Sequence, residues 1–381
     1  MQALRWVGFS GGIFVILFTG NSIMRTIVMP RGTRSNLSVF VGRRLVLRSF
    51  IFLANRFEDY ETKDKILAGS APMGLIALLA VWLGLIVLGF GLVLWPMVGD
   101  GLGSALLQSG SSVFTLGIEH ATGAAPDVVY FFASAFGLVV VALQIAYLPT
   151  MYSAFNRRET FVTLLQSRAG SPAWGPEILV RAQLVGLRES LPDLYAQWEQ
   201  WAAEVAESHT NYPVLLFFRS PHPLRSWVLA LLAVLDAAAL QNALFPESAP
   251  IEARLVLRMG FTCLRAIADA MGIEYDPDPF PHDPLQLEYD EFLGGVRVIQ
   301  DAGYELERSP EEAWPHFKGW RVNYESIAYA VADYVTAPPG PWSGPRKHLP
   351  GLNLIPQRPR DRKPGAEQRE VPKSDIPTSQ T

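Results

Sequence analysis

Residues 66–99 read ILAGSAPMGLIALLAVWLGLIVLGFGLVLWPMVG and contain no charged side chain. A second charge-free stretch runs from 128 to 156. Each is long enough to cross about 30 Å of hydrocarbon as an α-helix that rises about 1.5 Å per residue. We therefore expect an integral membrane protein whose fold is decided by these two stretches.

A third apolar stretch lies at the start of the chain, where Arg5 is followed by apolar residues 11–18. A signal peptide begins in the same way. Because no small-x-small cleavage site follows, and Asn21, Arg25 and Arg31 come next, we interpret this stretch as an uncleaved first span. The predicted transmembrane helices are 4–29, 71–97 and 128–152.

The composition agrees with a membrane protein, since mean hydropathy is +0.17 and only 18% of residues are charged. The net charge of −4 argues against nucleic acid as a partner. The single cysteine, Cys263, excludes an intramolecular disulfide framework and a CxxC metal site. We interpret it as a small buried residue on a helix.

The basic residues predict how the chain crosses the membrane. Residues 98–127 contain no Lys or Arg, and the third span is followed by Arg157 and Arg158. The first connection carries Arg25, Arg31, Arg34, Arg43, Arg44, Arg48, Arg56, Lys63 and Lys65. By the positive-inside rule we expect a multi-pass protein of the plasma (inner) membrane, with its N-terminus outside and its C-terminal domain in the cytoplasm.

The remaining segments divide the chain into five parts. Residues 1–30 form the first span, 31–70 an amphipathic linker helix and 71–152 the two charge-free spans with their connection. The linker helix lies along the inner membrane surface or packs on the cytoplasmic domain. Residues 153–336 are predicted to be a helical cytoplasmic domain, and 337–381 a disordered tail rich in Pro and polar residues.

Within the helical domain, Leu and Trp recur at steps of three and four from 184 to 205. Pro192 would interrupt one continuous helix, so we expect two helices with Pro192 in the first turn of the second. Residues 226–235 are too short for a fourth span and predict a buried core helix. Residues 254–272 and 311–335 predict two further helices, and 274–291 an irregular loop.

The connection between the last two spans, 100–119, reads DGLGSALLQSGSSVFTLGIE and is uncharged from 101 to 118. It is too polar to be stable against lipid, so protein or water must surround it at membrane depth. About twelve helical residues, 102–113, would descend about 18 Å, and an extended return could climb back out. The sequence therefore predicts a re-entrant pore loop.

The motif from Ser111 to Glu119, SSVFTLGIE, resembles the filter stretch TVGYGD of the potassium-channel superfamily, specifically its bacterial two-span pore module. The resemblance implies a pore helix that includes Ser109, Ser111, Ser112 and Phe114. It also implies that carbonyls replace an ion's water shell, supplied by Thr115, Leu116, Gly117 and Ile118, with the Thr115 hydroxyl innermost. Glycine suits such a stretch because side chains resist the backbone angles that aim successive carbonyls inward.

Two positions depart from the family pattern. Glu119 replaces the second glycine and Ile118 replaces tyrosine, so a four-site filter and strict potassium selectivity are not implied. Four copies of Glu119 would instead form an anionic ring that concentrates monovalent cations. Gly137 lies where the family commonly has a hinge glycine, although a close helix-packing glycine is the favoured interpretation of this residue.

The resulting expectation is an all-α membrane protein that forms a homotetrameric cation channel in membrane lipid, because one pore loop cannot bury itself. The alternative is a non-conducting receptor or scaffold with a degenerate pore fold, which Glu119 favours. An enzyme is not expected, since the sequence has no HExxH, no GxSxG and no glycine-rich phosphate loop after a strand. No cofactor is predicted.

Overall fold

A computed structural model of the protein describes residues 2–29, 35–118, 123–346 and 354–358. Within these ranges the chain is all-helical and contains no β-strand. The first seven helices are α1 Gln2–Ile23, α2 Asn36–Val39, α3 Arg48–Ala54, α4 Tyr60–Ala68, α5 Ser70–Leu94, α6 Leu102–Val113 and α7 Ala124–Ala169. The others are α8 Gly175–Leu184, α9 Leu191–Asn211, α10 Trp227–Leu244, α11 Ile251–Met271, α12 Tyr289–Asp301, α13 Pro310–Arg321 and α14 Glu325–Tyr334.

Four helical segments in the described ranges are long and apolar enough to cross a membrane: Gln2–Val28, Tyr60–Leu94, Ala124–Ala169 and Trp227–Leu244. The first three overlap the predicted spans, although the second ends at Leu94 and not at 97, and their most apolar windows are only 22–39% buried. The fourth is 94% buried among other helices. The all-α membrane class is thus confirmed, and Trp227–Leu244 is the buried core helix that the sequence predicts.

Glycines allow α1 and α5 to approach closely. A Cβ atom added to Gly12 would lie 2.5 Å from the Gly89 carbonyl oxygen, and one on Gly8 would lie 2.7 Å from the Trp95 ring. Small residues at such contacts let helix backbones meet in lipid, where apolar side chains gain nothing by leaving the solvent. The close backbone contact that glycine permits at these positions therefore holds the two helices together.

The linker contacts both neighbouring regions, and in its described part it is divided into α2, a π-helix, α3 and α4 where one helix was predicted. Between α2 and α3 the chain forms a π-helix, Phe40–Leu47, which packs on α5 through buried Val41. From the same segment the Arg43 guanidinium stacks on the Tyr334 ring of α14, 3.9 Å from its centroid. The linker therefore connects the apolar helices with the helical domain.

Helix α7 does not end where the third span was predicted to end. The helix is 46 residues long, runs through Pro149, and its last turns belong to the helical domain. Arg158, which is 2% exposed, donates hydrogen bonds to the carbonyls of Leu215 and Phe218 at 2.8 and 2.6 Å. A single helix therefore joins the third span to the domain.

The domain packs around α10, and the predicted helix with Pro192 in its first turn is confirmed. The helix expected just before it is not, because α8 ends at Leu184 and residues 185–190 form a turn and a short 3-10 helix. Helix α9 begins at Leu191 with Pro192 in its first turn, where a missing N–H costs nothing. The stretch 311–335 differs from the predicted single helix, because α13 ends at Arg321 and α14 begins at Glu325. At the break, Tyr324 leaves the helical conformation and its hydroxyl donates to Asp236 at 2.9 Å.

The start of the predicted tail also differs in the structure. Trp342 is 5% exposed and its ring lies between those of Trp174 and Phe317, at centroid distances of 5.9 and 5.8 Å. Residues 337–346 therefore complete the domain core, although their Pro-rich composition suggested a tail at 337. Of the later residues, the structure describes 354–358, where Arg358 pairs with buried Glu177 at 2.9 Å.

Candidate pore loop

Helix α6 has the bounds that the sequence predicts and lies between α5 and α7. The Ser109 hydroxyl donates to the Val87 carbonyl of α5 at 2.8 Å. From the other side, the Ser134 hydroxyl of α7 donates to the Ser112 carbonyl at 2.9 Å. Each side chain satisfies a polar group inside the helix cluster, so α6 is fixed to both neighbours.

Gly137 contributes close packing to the same contact. A Cβ atom at this position would lie 2.3 Å from the Val113 carbonyl oxygen, so only glycine permits the observed approach of α7 to the end of α6. Helix α7 is continuous through Gly137. The contact supports the packing interpretation, and a hinge at this residue stays a prediction.

Two of the α7 residues that contact α6, Tyr130 and Ser134, were missed by the sequence analysis. Tyr130 donates to the Gln108 side-chain oxygen, and Gln108 in turn donates to Ser104 at 3.0 Å. Tyr130, Ser134 and Gly137 follow one another at steps of four and three, which places them on one helical face. This spacing of two hydroxyls and a glycine inside an apolar stretch is the signal that could have identified the contact.

The end of α6 is a Schellman motif. The Leu116 amide donates to the Ser111 carbonyl at 2.7 Å, and the Thr115 amide donates to the Ser112 carbonyl at 2.9 Å. Phe114, predicted as part of the pore helix, is the C-cap residue. Thr115 takes the left-handed position that glycine usually fills, with φ of 54°. A side chain there costs on the order of 1 kcal/mol, so surrounding contacts must hold it.

In the predicted filter residues, the backbone angle φ alternates between positive and negative values. Thr115 and Gly117 have φ of 54° and 66°, whereas Leu116 and Ile118 are not in the positive-φ region. The Ile118 amide donates to the Ser111 hydroxyl at 2.8 Å, which ties the far end of this stretch back to α6. In an ordinary strand successive carbonyls point to opposite sides. When left-handed and right-handed backbone conformations alternate along the chain, successive carbonyls can point to the same side.

An open cleft of about 510 Å³ borders this stretch. Its lining includes Ser111, Ser112, Thr115, Gly117, Asp127 and Tyr130. The side chains of Leu116 and Ile118 are 61% and 68% exposed in the single chain. The structure thus brings the predicted residues from Ser109 to Ile118 together, while Glu119 lies outside the described residues.

The described part of the chain holds no group of three or more His, Cys, Asp or Glu side chains that could bind a metal ion. The chemistry that the loop offers is instead hydroxyl and carbonyl oxygen beside an open space. Oxygen ligands of this kind suit hard cations. No family model matches the chain, and neither a curated protein nor a solved structure matches it.

Proposed function

We propose that this chain is one subunit of a tetrameric cation channel whose pore loop resembles that of the potassium-channel superfamily. The observation that carries the proposal is the backbone after α6, where left-handed Thr115 and Gly117 alternate with Leu116 and Ile118. Carbonyls turned to one side can replace part of an ion's hydration shell. The non-standard filter would be Thr115–Glu119, Thr-Leu-Gly-Ile-Glu.

The position of α6 supports the same function. A twelve-residue helix is about 18 Å long, which is roughly half the hydrocarbon thickness. Its C-terminal end, where the helix dipole is negative, directly precedes the filter residues. A cation near Thr115 would therefore be favoured by the helix as well as by the carbonyls.

The exposed apolar surface supports assembly from several copies. On α7, Phe131, Phe132 and Leu138 are 77%, 67% and 65% exposed. Lipid and neighbouring copies both provide an apolar surface for such residues. The exposed filter side chains Leu116 and Ile118 need protein around them, because irregular backbone at membrane depth is tolerated only where protein or water encloses it.

The test is cation flux through the purified protein in liposomes, together with its oligomeric state in detergent. We expect a tetramer that passes monovalent cations, and we expect Gly117→Val to reduce flux to background, because a β-branched residue resists positive φ. The matched control is Gly99→Val, at an exposed glycine with open space around it and no positive φ. Unchanged flux in Gly117→Val would refute the filter assignment.

A tetramer without flux would favour the alternative, a non-conducting receptor or scaffold. Glu119 motivates that alternative, because it occupies the place of the family's second glycine. A monomer or dimer that conducts nothing would refute the channel proposal as a whole. The two measurements together therefore separate the two functions.

We also propose that the chain lies in the plasma (inner) membrane with its N-terminus outside and the helical domain in the cytoplasm, as the distribution of basic residues indicates. A cysteine at Gly99 should react with an impermeant thiol reagent in intact cells, and one at Gly351 should not. Native Cys263 does not interfere, because burial raises the pKa of its thiol to about 12. The reverse labelling pattern would overturn this orientation.

A further inference from the structure

A second cavity lies where the apolar helices meet the helical domain. Its lining includes Arg25 just beyond α1, Ser70, Gly74 and Leu78 near the start of α5, and Tyr147 at the middle of α7. From the domain, Phe217 and Tyr334 close it. The cavity is therefore at one end of all three candidate spans, at the level where lipid headgroups would lie whichever way the protein crosses the membrane.

The charge of this cavity is of one sign. Among the described residues, Arg25 and Arg43 are the charged ones that line it, and both are exposed. In the described ranges neither forms an ion pair; Arg25 donates to Asn21 at 3.2 Å and Arg43 stacks on Tyr334. A guanidinium stacked on a ring keeps its N–H groups directed outward in its own plane, which suits a phosphate.

The inner surface of the cavity is apolar. Leu47, Leu75 and Leu78 line it together with glycines 42 and 74, and its volume of about 150 Å³ resembles apolar cavities that bind benzene-sized molecules. The lining hydroxyls of Thr26 and Ser38 bond to each other at 2.6 Å. Because these hydroxyls are already satisfied, the interior accepts a hydrocarbon chain better than a polar molecule.

We propose that this cavity binds an anionic phospholipid of the surrounding membrane, with its phosphate between Arg25 and Arg43 and part of one acyl chain along Leu75 and Leu78. Two cations without a carboxylate partner favour the phosphate, and the apolar interior favours a lipid over a free anion. The site joins α1, the linker, α5 and the domain, so the lipid would stabilise their contact. The proposal does not depend on whether the pore loop conducts.

The experiment is native mass spectrometry of the full-length protein with dioctanoyl phosphatidylglycerol, dioctanoyl phosphatidylcholine or inorganic phosphate. We expect dioctanoyl phosphatidylglycerol to bind at least about tenfold more tightly than dioctanoyl phosphatidylcholine. Excess inorganic phosphate should not displace it. The double variant Arg25→Gln/Arg43→Gln should lose this preference. Arg44→Gln/Arg48→Gln, which removes the same charge from exposed residues outside the cavity, should keep it.

A second pair of variants tests the chain-binding interior. A Cβ atom at Gly42 meets nothing within 4 Å, so Gly42→Leu should fold and fill part of the cavity, reducing lipid binding with both arginines intact. Gly11→Leu, on α1 outside the cavity and also with open space, should bind as the native protein does. Equal binding of both lipids, displacement by phosphate, or native binding by the double arginine variant would overturn the proposal.

Discussion

The two halves of the molecule differ in the polar contacts that hold them together. In the spanning bundle, formed by α1, α5, α6 and α7, the close contacts are made by glycines and by serine hydroxyls bonded to carbonyls of neighbouring helices. In the helical domain, formed by α8–α14 and residues 337–346, the core contains tryptophans and buried ion pairs such as Arg321 with Asp236. Buried ion pairs therefore distinguish the domain, whereas both halves bury tryptophan, Trp82 in the bundle and Trp198 in the domain.

The difference reflects the solvent that each half is built for. In water, burying a large apolar side chain is favourable in itself. In hydrocarbon it is not, so association depends on close van der Waals contact and on hydrogen bonds. The exposed Phe131 and buried Trp198 illustrate this, since an aromatic ring lies outside the protein in one half and inside it in the other.

The largest expected loss of stability is that of Arg321→Met in the domain. The Arg321 guanidinium contacts Asp236, donates to Glu325 at 2.9 Å and to the Trp342 carbonyl at 2.8 Å, all inside the core. Its removal leaves buried carboxylates unpaired, so we expect unfolding to become easier by about 3–5 kcal/mol. Exposure of Cys263 to a thiol-reactive dye during denaturant titration measures this, since that residue is buried in the same core.

The matched control is Arg346→Met. Arg346 pairs at 2.8 Å with Asp333, whose side chain is 83% exposed, so this pair should contribute less than about 1 kcal/mol. If both variants changed stability equally, the buried pairs would not distinguish the domain from the bundle.

The next test concerns the bundle. Gly12→Leu forces a side chain into the Gly89 backbone, and we expect the contact between α1 and α5 to weaken by about 1–3 kcal/mol. Gly11→Leu changes the neighbouring glycine in open space and should cost little. Titration with SDS in mixed micelles, followed by far-UV circular dichroism, compares them. Equal loss in both variants would mean that the loss does not come from the contact with Gly89, because leucine has a higher helix propensity than glycine at both positions.

The smallest expected effect is at the junction of the two halves, where His209 bonds to Arg158 at 3.0 Å. Burial, and then the charge of Arg158, hold the pKa of His209 well below its ordinary value. The unfolded chain therefore binds a proton at about pH 6.5 that the folded chain does not bind, and stability is full above that pH and falls below it. The slope should approach about 1.4 kcal/mol per pH unit.

Dye labelling of Cys263 at a series of pH values measures this slope. His209→Gln should flatten it, because the variant has no group to protonate at this position. His222→Gln removes an exposed loop histidine and should leave the slope as it is. A native slope in His209→Gln would assign the pH dependence to other groups.

Much of the fold could be predicted because long apolar stretches and proline positions have strong local consequences. The bounds of α6 and the start of α9 near Pro192 follow from spacing alone. Features that depend on distant contacts differ from their predictions. Trp342 is buried because Trp174 and Phe317 provide a place for it, and Tyr324 leaves its helix for a bond with Asp236 on α10.

In the candidate loop, too, the features set by local sequence were predicted and those set by distant contacts were not. Ser109, Gly117 and their neighbours were found because the motif is contiguous in sequence. Tyr130 and Ser134 were not, because their partners are more than twenty residues away and on another helix. The alternation of φ signs also could not be derived, since Thr115 is an unfavourable residue for a left-handed position.

Because α7 is continuous, a movement of the domain is transmitted along this helix, which acts as a lever arm. From Gly137 at the candidate loop to Arg158 in the domain is about 32 Å of helix, so a tilt of about 5° at one end displaces the other by about 3 Å. Pro149 lies within this arm and has no N–H to donate to the carbonyl of Ile145. Bending stress applied by the domain is therefore concentrated at Pro149, about 18 Å along the helix axis from the contact of Gly137 with Val113.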